Sequence, residues 1–295
     1  MVYLKIWSLK GEKLKKIRVY EVKAFSKGDI GGNLAGVVIG DTDDSVKQRI
    51  ARELGYSETV FVDGGGDEES RDYKLEFFTP TDQVDLCGHA TIGAFSLLRS
   101  LGKIEEGEYW QNGLAGRLRV RVEESKVLME QKTPGFYGRA DKRVIAKSLG
   151  IEEDVIERFP VEIVSTGLKD ILIPVKSLES LKNIKPDFER IKKVSKRYGV
   201  VGYHVFSLES LEGSTAFTRN FAPLYDIDEE AATGTSNGAL AAYLKKYEIV
   251  NNNRMVFEQG DFMDSPSRIE AEIDNGCVWV GGQGSLVREF ELVLT

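Results

Sequence analysis

Two short segments of the chain share a residue pattern that favours anion binding. DLCGHATIGAFS (residues 85–96) and ATGTSNGALAAY (residues 232–243) both pass from a Gly step into a small, apolar stretch typical of a buried helix. A helix that begins at Gly88 or at Gly234 leaves unpaired backbone N–H groups in its first turn, and these donors attract a carboxylate or a phosphate. Either segment alone is better explained by helix capping. Their paired occurrence predicts two helix ends that face one cleft and hold a small anionic substrate.

A cysteine precedes the first of these glycines, and a threonine precedes the second. This arrangement resembles the cofactor-independent racemases and epimerases of the diaminopimelate epimerase and proline racemase type. In those enzymes a cysteine at each helix start gives a thiol/thiolate pair that removes and returns an α-proton. Here Cys87 stands at the first position and Thr233 at the second. A threonine hydroxyl is too weak an acid to replace a thiol near neutral pH, so two-thiol racemisation is disfavoured and Cys87 is interpreted as a small packing residue.

The ordered set of motifs along the chain is more specific than either segment. Taken together, the motifs resemble the phenazine-biosynthesis isomerase (PhzF-like) family of the same superfamily, over nearly the whole length of the chain. The motifs are VYEVKAF (19–25), GGNLAGVV (31–38), SETVFV (57–62), FFTPTDQVDLCGHAT (77–91), STGL (165–168), RNFAPLYDIDEEAATGTSNGAL (219–240), EQG (258–260) and GGQGSLV (281–287).

The resemblance implies roles for individual residues. Glu58, in the SET motif, corresponds to the family's acid–base, which moves a proton between carbons of a hydroxylated, amino-bearing dihydro-aromatic acid and so shifts double bonds. His89 corresponds to a histidine that orients the substrate. Without the resemblance, Glu58 would be interpreted as part of a solvated turn and His89 as a satisfied polar residue. The substrate-binding residues implied are Asn33, Ser57, Gly88, His89, Glu230, Gly234 and Thr235.

Several positions depart from the family pattern. Glu230 stands where the family has aspartate, Ala231 where it has proline, and Thr235 where it has serine. Leu34 replaces the proline of a GNPAG motif, and MDSPS (263–267) lacks the usual Gly-Arg pair. Together these differences predict a substrate different from the phenazine precursor.

The elements that must position these residues are mostly strands. Alternating apolar and polar residues predict strands, and both motif helices, 89–102 and 236–248, are apolar almost all round and therefore predicted to be buried. The fold class expected is α+β, with two similar domains that each wrap a curved antiparallel sheet or barrel around a central helix, as in diaminopimelate epimerase. The expected domains are residues 1–132, to which 283–295 return, and residues 133–282, with a linker near 128–140. The predicted strands are 17–25, 35–40, 58–65, 73–79, 116–131, 170–175, 202–209, 214–222, 254–260, 267–273 and 276–294.

Composition narrows the classes of partner. The net charge of -7 argues against a nucleic-acid groove, and no segment reaches the length of a membrane-spanning helix. The first twenty residues lack the apolar run of a signal peptide, so a cytoplasmic location is expected. Two cysteines and two histidines, without CxxC or HExxH spacing, predict no disulfide framework and no metal site. The family resemblance implies that the protein forms a homodimer and needs no cofactor.

Three functional hypotheses remain open at this point. The first is a cofactor-independent isomerase of a small, amino-acid-like carboxylic acid, in which Glu58 alone carries the proton. The second is an amino-acid racemase or epimerase that uses Cys87 with another acid. The third is a non-catalytic protein that binds an amino-acid-like ligand in the same cleft.

Overall fold

The computed structural model of the protein describes residues 15–64 and 71–294. Residues 1–14, which include most of the segment analysed for a signal peptide, lie outside the described residues. The end of the predicted strand 58–65 and Thr295 also lie outside them. Within the described ranges, no helix is long and apolar enough to cross a membrane.

Strands dominate the described chain, as the sequence pattern predicts. The elements up to residue 130 are β1 (Lys15–Ala24), β2 (Asn33–Ile39), α1 (Asp44–Leu54), β3 (Thr59–Gly64), β4 (Asp72–Phe78), β5 (Gln83–Val84), α2 (Gly88–Ser100), β6 (Gly107–Gly113), β7 (Gly116–Val122) and β8 (Val127–Glu130). The following elements are β9 (Gly135–Arg139), α3 (Lys142–Leu149), β10 (Glu162–Ser165), β11 (Lys169–Pro174), α4 (Leu178–Lys182), α5 (Phe188–Tyr198), β12 (Gly202–Ser207), β13 (Ala216–Ala222), β14 (Ile227–Glu230), α6 (Gly234–Lys246), β15 (Arg254–Gln259), β16 (Ser267–Asp274), β17 (Cys277–Gly282) and β18 (Gly284–Leu294).

The α+β class is confirmed, but the sheet is mixed and not antiparallel throughout. Most neighbouring strands pair antiparallel, whereas β2 with β3, β4 with β6, β11 with β12, and β13 with β15 pair in parallel. Parallel neighbours need a crossover connection, and each of these four connections contains a helix. The two motif helices, α2 and α6, are therefore the crossovers of β4–β6 and β13–β15, and the same order of elements occurs twice along the chain.

Helices α2 and α6 are buried, as their apolar composition predicts. Nine of the thirteen residues of each helix are buried, and side chains of both belong to one hydrophobic cluster. Glycines allow the close approach: a Cβ on Gly93 of α2 would lie 2.5 Å from Cγ2 of Val22, and one on Gly238 of α6 would lie 2.8 Å from Cγ2 of Val280. Each helix thus packs directly on a strand of the sheet, and its first turn is fixed relative to that sheet.

Strand pairing joins distant parts of the chain. β18 pairs antiparallel with β1 from Lys15↔Leu294 to Ala24↔Gly284, and β17 pairs with β8. The predicted linker, residues 128–140, contains most of β8 at one end and all of β9 at the other. Between them, the N–H of Gln131 donates to Val278 O at 2.8 Å and that of Lys132 to Thr166 O at 3.0 Å. The division into two domains at residue 132 remains a prediction.

Candidate active site

The first turn of α2 carries Gly88 and His89. The helix begins at Gly88 after Cys87, and the side chain of Cys87 makes no capping hydrogen bond. Gly88 is half-buried and His89 is buried. The backbone N–H groups of this turn are therefore not occupied by a cap and can bind an anion.

Glu58 and His89 form the centre of the site. Glu58 directly precedes β3, and its Oε2 lies 3.3 Å from Nε2 of His89; 23% of the Glu58 side chain is exposed, against 8% for His89. This oxygen is itself buried, and the contact with His89 is within ion-pair distance but not aligned as a hydrogen bond. Burial lowers the pKa of His89, although the Glu58 carboxylate acts in the opposite direction. The imidazole is therefore neutral near pH 7, and Glu58 keeps an oxygen available for a substrate proton.

Cys87 lies beside this pair. Its Sγ is 3.4 Å from Nδ1 and 3.8 Å from Nε2 of His89. Burial raises the pKa of the Cys87 thiol well above its ordinary value, and the Glu58 carboxylate adds to the rise. A thiol that stays protonated is a poor base, so these surroundings favour packing over thiolate chemistry for Cys87.

Asn33 connects the two helix starts. Its Nδ2 lies 3.4 Å from Nδ1 of His89 and donates to Oε1 of Glu230 at 3.1 Å and to the backbone oxygen of Ala232 at 3.4 Å. Because the carbonyl of Ala232 only accepts, the amide nitrogen of Asn33 must face it, and Asn33 thereby joins Glu230 to the first turn of α2.

The loop before Asn33 is held by the segment 263–267. Ser265 Oγ donates to the carbonyl of Gly32 at 3.1 Å, and the N–H of Gly32 donates to Ser267 Oγ at 3.2 Å. Gly31 has φ +64°, and a Cβ there would overlap the carbonyl of Pro266. This segment lacks the family's Gly-Arg pair, but it places Asn33 by packing against the two glycines.

Glu230 brings a second carboxyl group to the site. Its Oε2 accepts from Thr233 Oγ1 at 3.1 Å, and its Oε1 accepts from Asn33. Burial raises the pKa of Glu230 to about 7; the hydrogen bonds from Thr233 and Asn33 lower it, and the Glu58 carboxylate raises it further. Near neutral pH a large fraction of Glu230 is therefore protonated and can donate a hydrogen bond, a property that the sequence did not indicate.

The first turn of α6 carries Gly234 and Thr235. This helix begins at Gly234 after Thr233, again without a capping side chain. A Cβ on Gly234 would lie 3.2 Å from Cζ of Phe25, a buried residue with φ +61°. Thr166 Oγ1 donates to the carbonyl of Thr235 at 2.9 Å, a bond that leaves the N–H groups of the turn unused.

The structure thus brings most of the predicted residues together. Contacts link Glu58 to His89, His89 to Asn33, and Asn33 to Glu230. His89 belongs to the first turn of α2, and Glu230 lies just before the start of α6. Ser57 is exposed beside Glu58. The sequence interpretation missed the hydrogen bond of Thr233 to Glu230 and the part played by Gln259. The EQG motif (258–260), which contains Gln259, is the feature of the sequence that could have indicated this residue.

Three of these residues could hold a metal ion. One ligand atom from each of Glu58, Cys87 and His89 lies within 4.8 Å of the others. The spacings of 3.3 Å from Nε2 to Oε2 and 3.8 Å from Nε2 to Sγ are close to the edges of roughly 3.3–3.7 Å that zinc bond lengths give in a tetrahedron. The raised pKa of the thiol opposes such binding, because zinc takes the thiolate.

Comparison with known proteins identifies the family of the chain. The family model described as phenazine biosynthesis-like protein (PhzC-PhzF) matches residues 22–289. The chain belongs to this family. It is 33% identical to an uncharacterized isomerase of Clostridium acetobutylicum, over 95% of this chain and 99% of the relative, and 34% identical to one of Bacillus subtilis, over 93% and 97%. As a member of this family, the protein is a PhzF-like isomerase.

Solved structures show the same fold. The PhzF-family phenazine biosynthesis protein of Bacillus anthracis superposes with a TM-score of 0.84 at 29% identity, over 95% of this chain and all of that one. A hydroxyproline epimerase of Agrobacterium vitis superposes with a TM-score of 0.61 at 12% identity, over 95% and 93%. The second likeness concerns the fold alone.

Proposed function

We propose that the protein is a cofactor-independent isomerase of a small, amino-acid-like cyclic carboxylic acid, with Glu58 as the single proton carrier. The observation that carries this proposal is the Glu58 carboxylate, which lies 3.3 Å from a neutral histidine at an uncapped helix start and has a buried oxygen without a hydrogen bond. A carboxylate in such a place is free to accept a proton from a bound substrate.

The reaction needs one group that works twice. Glu58 takes a proton from a carbon of the substrate, and the electron pair left behind shifts the adjacent double bond. The protonated Glu58, whose side chain is 23% exposed and exchanges its proton with solvent, then delivers a proton to another carbon, so that atoms and charge balance without a co-reactant. The His89 ring, with Nε2 3.3 Å from Oε2 of Glu58, packs against the carboxylate between the two steps.

The remaining residues would bind the substrate. The N–H groups at the starts of α2 and α6 suit its carboxylate. The Glu230 carboxyl, with a pKa raised to about 7, can donate to a hydroxyl or accept from an amino group. This arrangement supports a substrate with one acidic and one or two polar substituents on a small ring.

The proposal also includes the domain division, the oligomeric state and the cellular location of the protein. The division at residue 132 would place the cleft between two domains, with α2 on one side and α6 on the other. A homodimer and a cytoplasmic location complete the proposal, as the family resemblance implies.

The decisive experiment follows proton exchange with solvent. The wild type, E58Q and E58D are incubated in deuterium oxide with a panel of probes that includes a dihydro-hydroxyanthranilic acid, trans-4-hydroxy-L-proline and methylitaconate. Deuterium incorporation is measured by mass spectrometry. We expect incorporation into at least one probe with the wild type, a loss of at least 100-fold with E58Q, and partial activity with E58D, because Gln cannot carry the proton.

Two controls test for thiol chemistry and for a metal-dependent reaction. C87A should keep the wild-type rate, whereas its inactivity would favour the racemase hypothesis. The experiment is repeated with a chelator, since a rate lost to chelation would show that Glu58, Cys87 and His89 act through a metal. Exchange that survives in E58Q would contradict the proposal. Binding of a probe without any exchange would favour a non-catalytic protein.

A further inference from the structure

The side chain of Gln259 lies at the end of β15, completely buried, beneath the turn that carries Glu230. Its Nε2 donates to the carbonyl of Glu230 at 2.7 Å and to Thr233 Oγ1 at 3.1 Å. Its Oε1 accepts from the N–H of Thr233 at 3.3 Å and from Nδ2 of Asn237 at 2.8 Å. Thr218 Oγ1 is a third donor to this oxygen, at 3.3 Å. One amide group thus joins both ends of the turn 230–233 to the first turn of α6.

These partners fix the orientation of the amide. A carbonyl oxygen can only accept, so the nitrogen must face Glu230, and a backbone N–H can only donate, so the oxygen must face Thr233. A glutamate at position 259 would place an acceptor against the carbonyl of Glu230. Leucine would leave all these buried polar groups without their partner.

The same orientation directs the hydroxyl of Thr233. Since Thr233 Oγ1 accepts from Gln259, its single hydrogen is free to point at Oε2 of Glu230, 3.1 Å away. The main chain supports this arrangement at the next residue. Gly260 has φ +83°, and a Cβ there would lie 2.6 Å from the carbonyl of Ala231. The chain after β15 therefore follows the outline of the turn 230–233.

From these contacts we infer that Gln259 is a positioning residue: it holds the turn 230–233 and, through Thr233, sets the hydrogen bonding and the acidity of Glu230. The inference concerns the site of the proposed function, and its effect on turnover rests on that function. The hydrogen bonds themselves exist without substrate, so they can be tested on the free protein.

Gln111 offers a matched control. It lies buried on β6, the strand that follows α2, as Gln259 lies on the strand that follows α6. Its Oε1 lies 2.9 Å from Thr91 Oγ1, just as that of Gln259 lies 2.8 Å from Nδ2 of Asn237. Thr91 and Asn237 are both the fourth residue of their helix, and each also donates to the carbonyl of the residue before the helix. The Nε2 of Gln111, however, faces Met129 Sδ and not an active-site residue.

The experiment measures the titration of Glu230 by infrared spectroscopy. The carboxyl band is assigned from the difference between the wild type and E230Q. It is then followed with pH in the wild type, Q259L, T233V, the double variant Q259L/T233V and Q111L, without substrate. Circular dichroism reports whether each variant is folded.

We expect the pKa of Glu230 to rise by roughly one unit in Q259L and in T233V, because the carboxylate loses an ordered donor. The double variant should show about the same rise as either single variant, since both act on one hydrogen bond. Q111L should titrate like the wild type.

An unchanged or lower pKa in folded Q259L would overturn the inference, as would a fully additive double variant. If Q259L does not fold, T233V with Q259N gives the same comparison with a shorter amide. Failure here would leave the role of Glu58 untouched, because the exchange experiment tests that role separately.

Discussion

At the scale of single residues, the site contains two carboxyl groups in different surroundings. Glu58 stands beside a neutral histidine and is partly open to solvent, whereas Glu230 accepts hydrogen bonds from Asn33 and Thr233 and has a raised pKa. Two carboxyl groups in different surroundings can carry different roles in one reaction. In the proposed function, the first carboxyl group transfers the proton and the second binds the substrate.

The raised pKa of Glu230 predicts a pH dependence of stability. Between about 4.5, the ordinary pKa, and about 7, the folded state holds more protons than the unfolded state, so the free energy of unfolding falls as pH rises and levels off above about 7. E230Q removes this contribution. Urea unfolding from pH 4.5 to 8 should show that the wild type loses up to about 3 kcal/mol more than E230Q.

The comparison is internally controlled. His204, whose pKa burial lowers to about 4, is present in both proteins and cancels in the difference. Asp170, whose pKa burial raises to about 6, is also present in both, but its charge raises the pKa of Glu230 and is part of the contribution measured. Parallel curves for the two proteins would mean that Glu230 titrates at its ordinary pKa.

At the scale of elements, close packing of the two motif helices places their first turns. At Gly93, α2 approaches β1 so closely that a methyl group on this residue would lie 2.5 Å from Val22 Cγ2. Alanine is the better helix former by about 1 kcal/mol, but a forced contact in a packed core costs about 1–3 kcal/mol. The packing effect should therefore exceed the gain in helix propensity.

G93A is expected to lower the free energy of unfolding, by roughly 1–2 kcal/mol after the gain in propensity. V22A removes the atom that clashes, so the double variant V22A/G93A should lose less than the sum of the two single variants. Denaturant unfolding of all four proteins measures this coupling. Simple additivity would show that Val22 is not what limits the approach of α2.

The sequence predicts these elements unevenly, for physical reasons. The all-round apolar helices are recognisable because burial demands their composition. The predicted strand 116–131 is two strands, β7 and β8, because the chain turns between Val122 and Val127. β10 (Glu162–Ser165) and β14 (Ile227–Glu230) are too short to show a period, and β14 is mostly charged. Parallel pairing is set by the crossovers, which a local pattern does not reveal.

The candidate site, like the elements, was predictable from the sequence only in part. Glu58, His89 and Glu230 follow from motifs. The bridge made by Asn33 and the support from Gln259 depend on side chains 197 and 29 residues from Glu230 in the chain. Such contacts are made only when the sheet has formed.

At the scale of the whole molecule, the β1–β18 pair makes the fold dependent on very distant contacts. Tyr20–Ala24 pair with both β2 and β18, whereas the pairing described for Lys15–Val19 is with β18 alone. Contacts between residues far apart in the chain form late, because loop closure costs entropy.

Pulsed hydrogen exchange during refolding should resolve this order. Amides in Tyr20–Ala24 are expected to gain protection first, with β2, and those in Lys15–Val19 only together with β18. Mass spectrometry of overlapping peptides distinguishes the two stretches. Simultaneous protection of both stretches ahead of β18 would refute the order.

During synthesis on the ribosome, β1 cannot pair with β18 until β18 has been made. Each residue of β1 meets its partner in β18 only after about 260 to 280 further residues have been added. At roughly 5–20 residues per second, that interval is on the order of ten to fifty seconds. During this time one edge of β1 stays open to other chains, since an unpaired strand edge is a template for aggregation. A nascent-chain chaperone that covers β1 would therefore protect this edge until β18 has been synthesised.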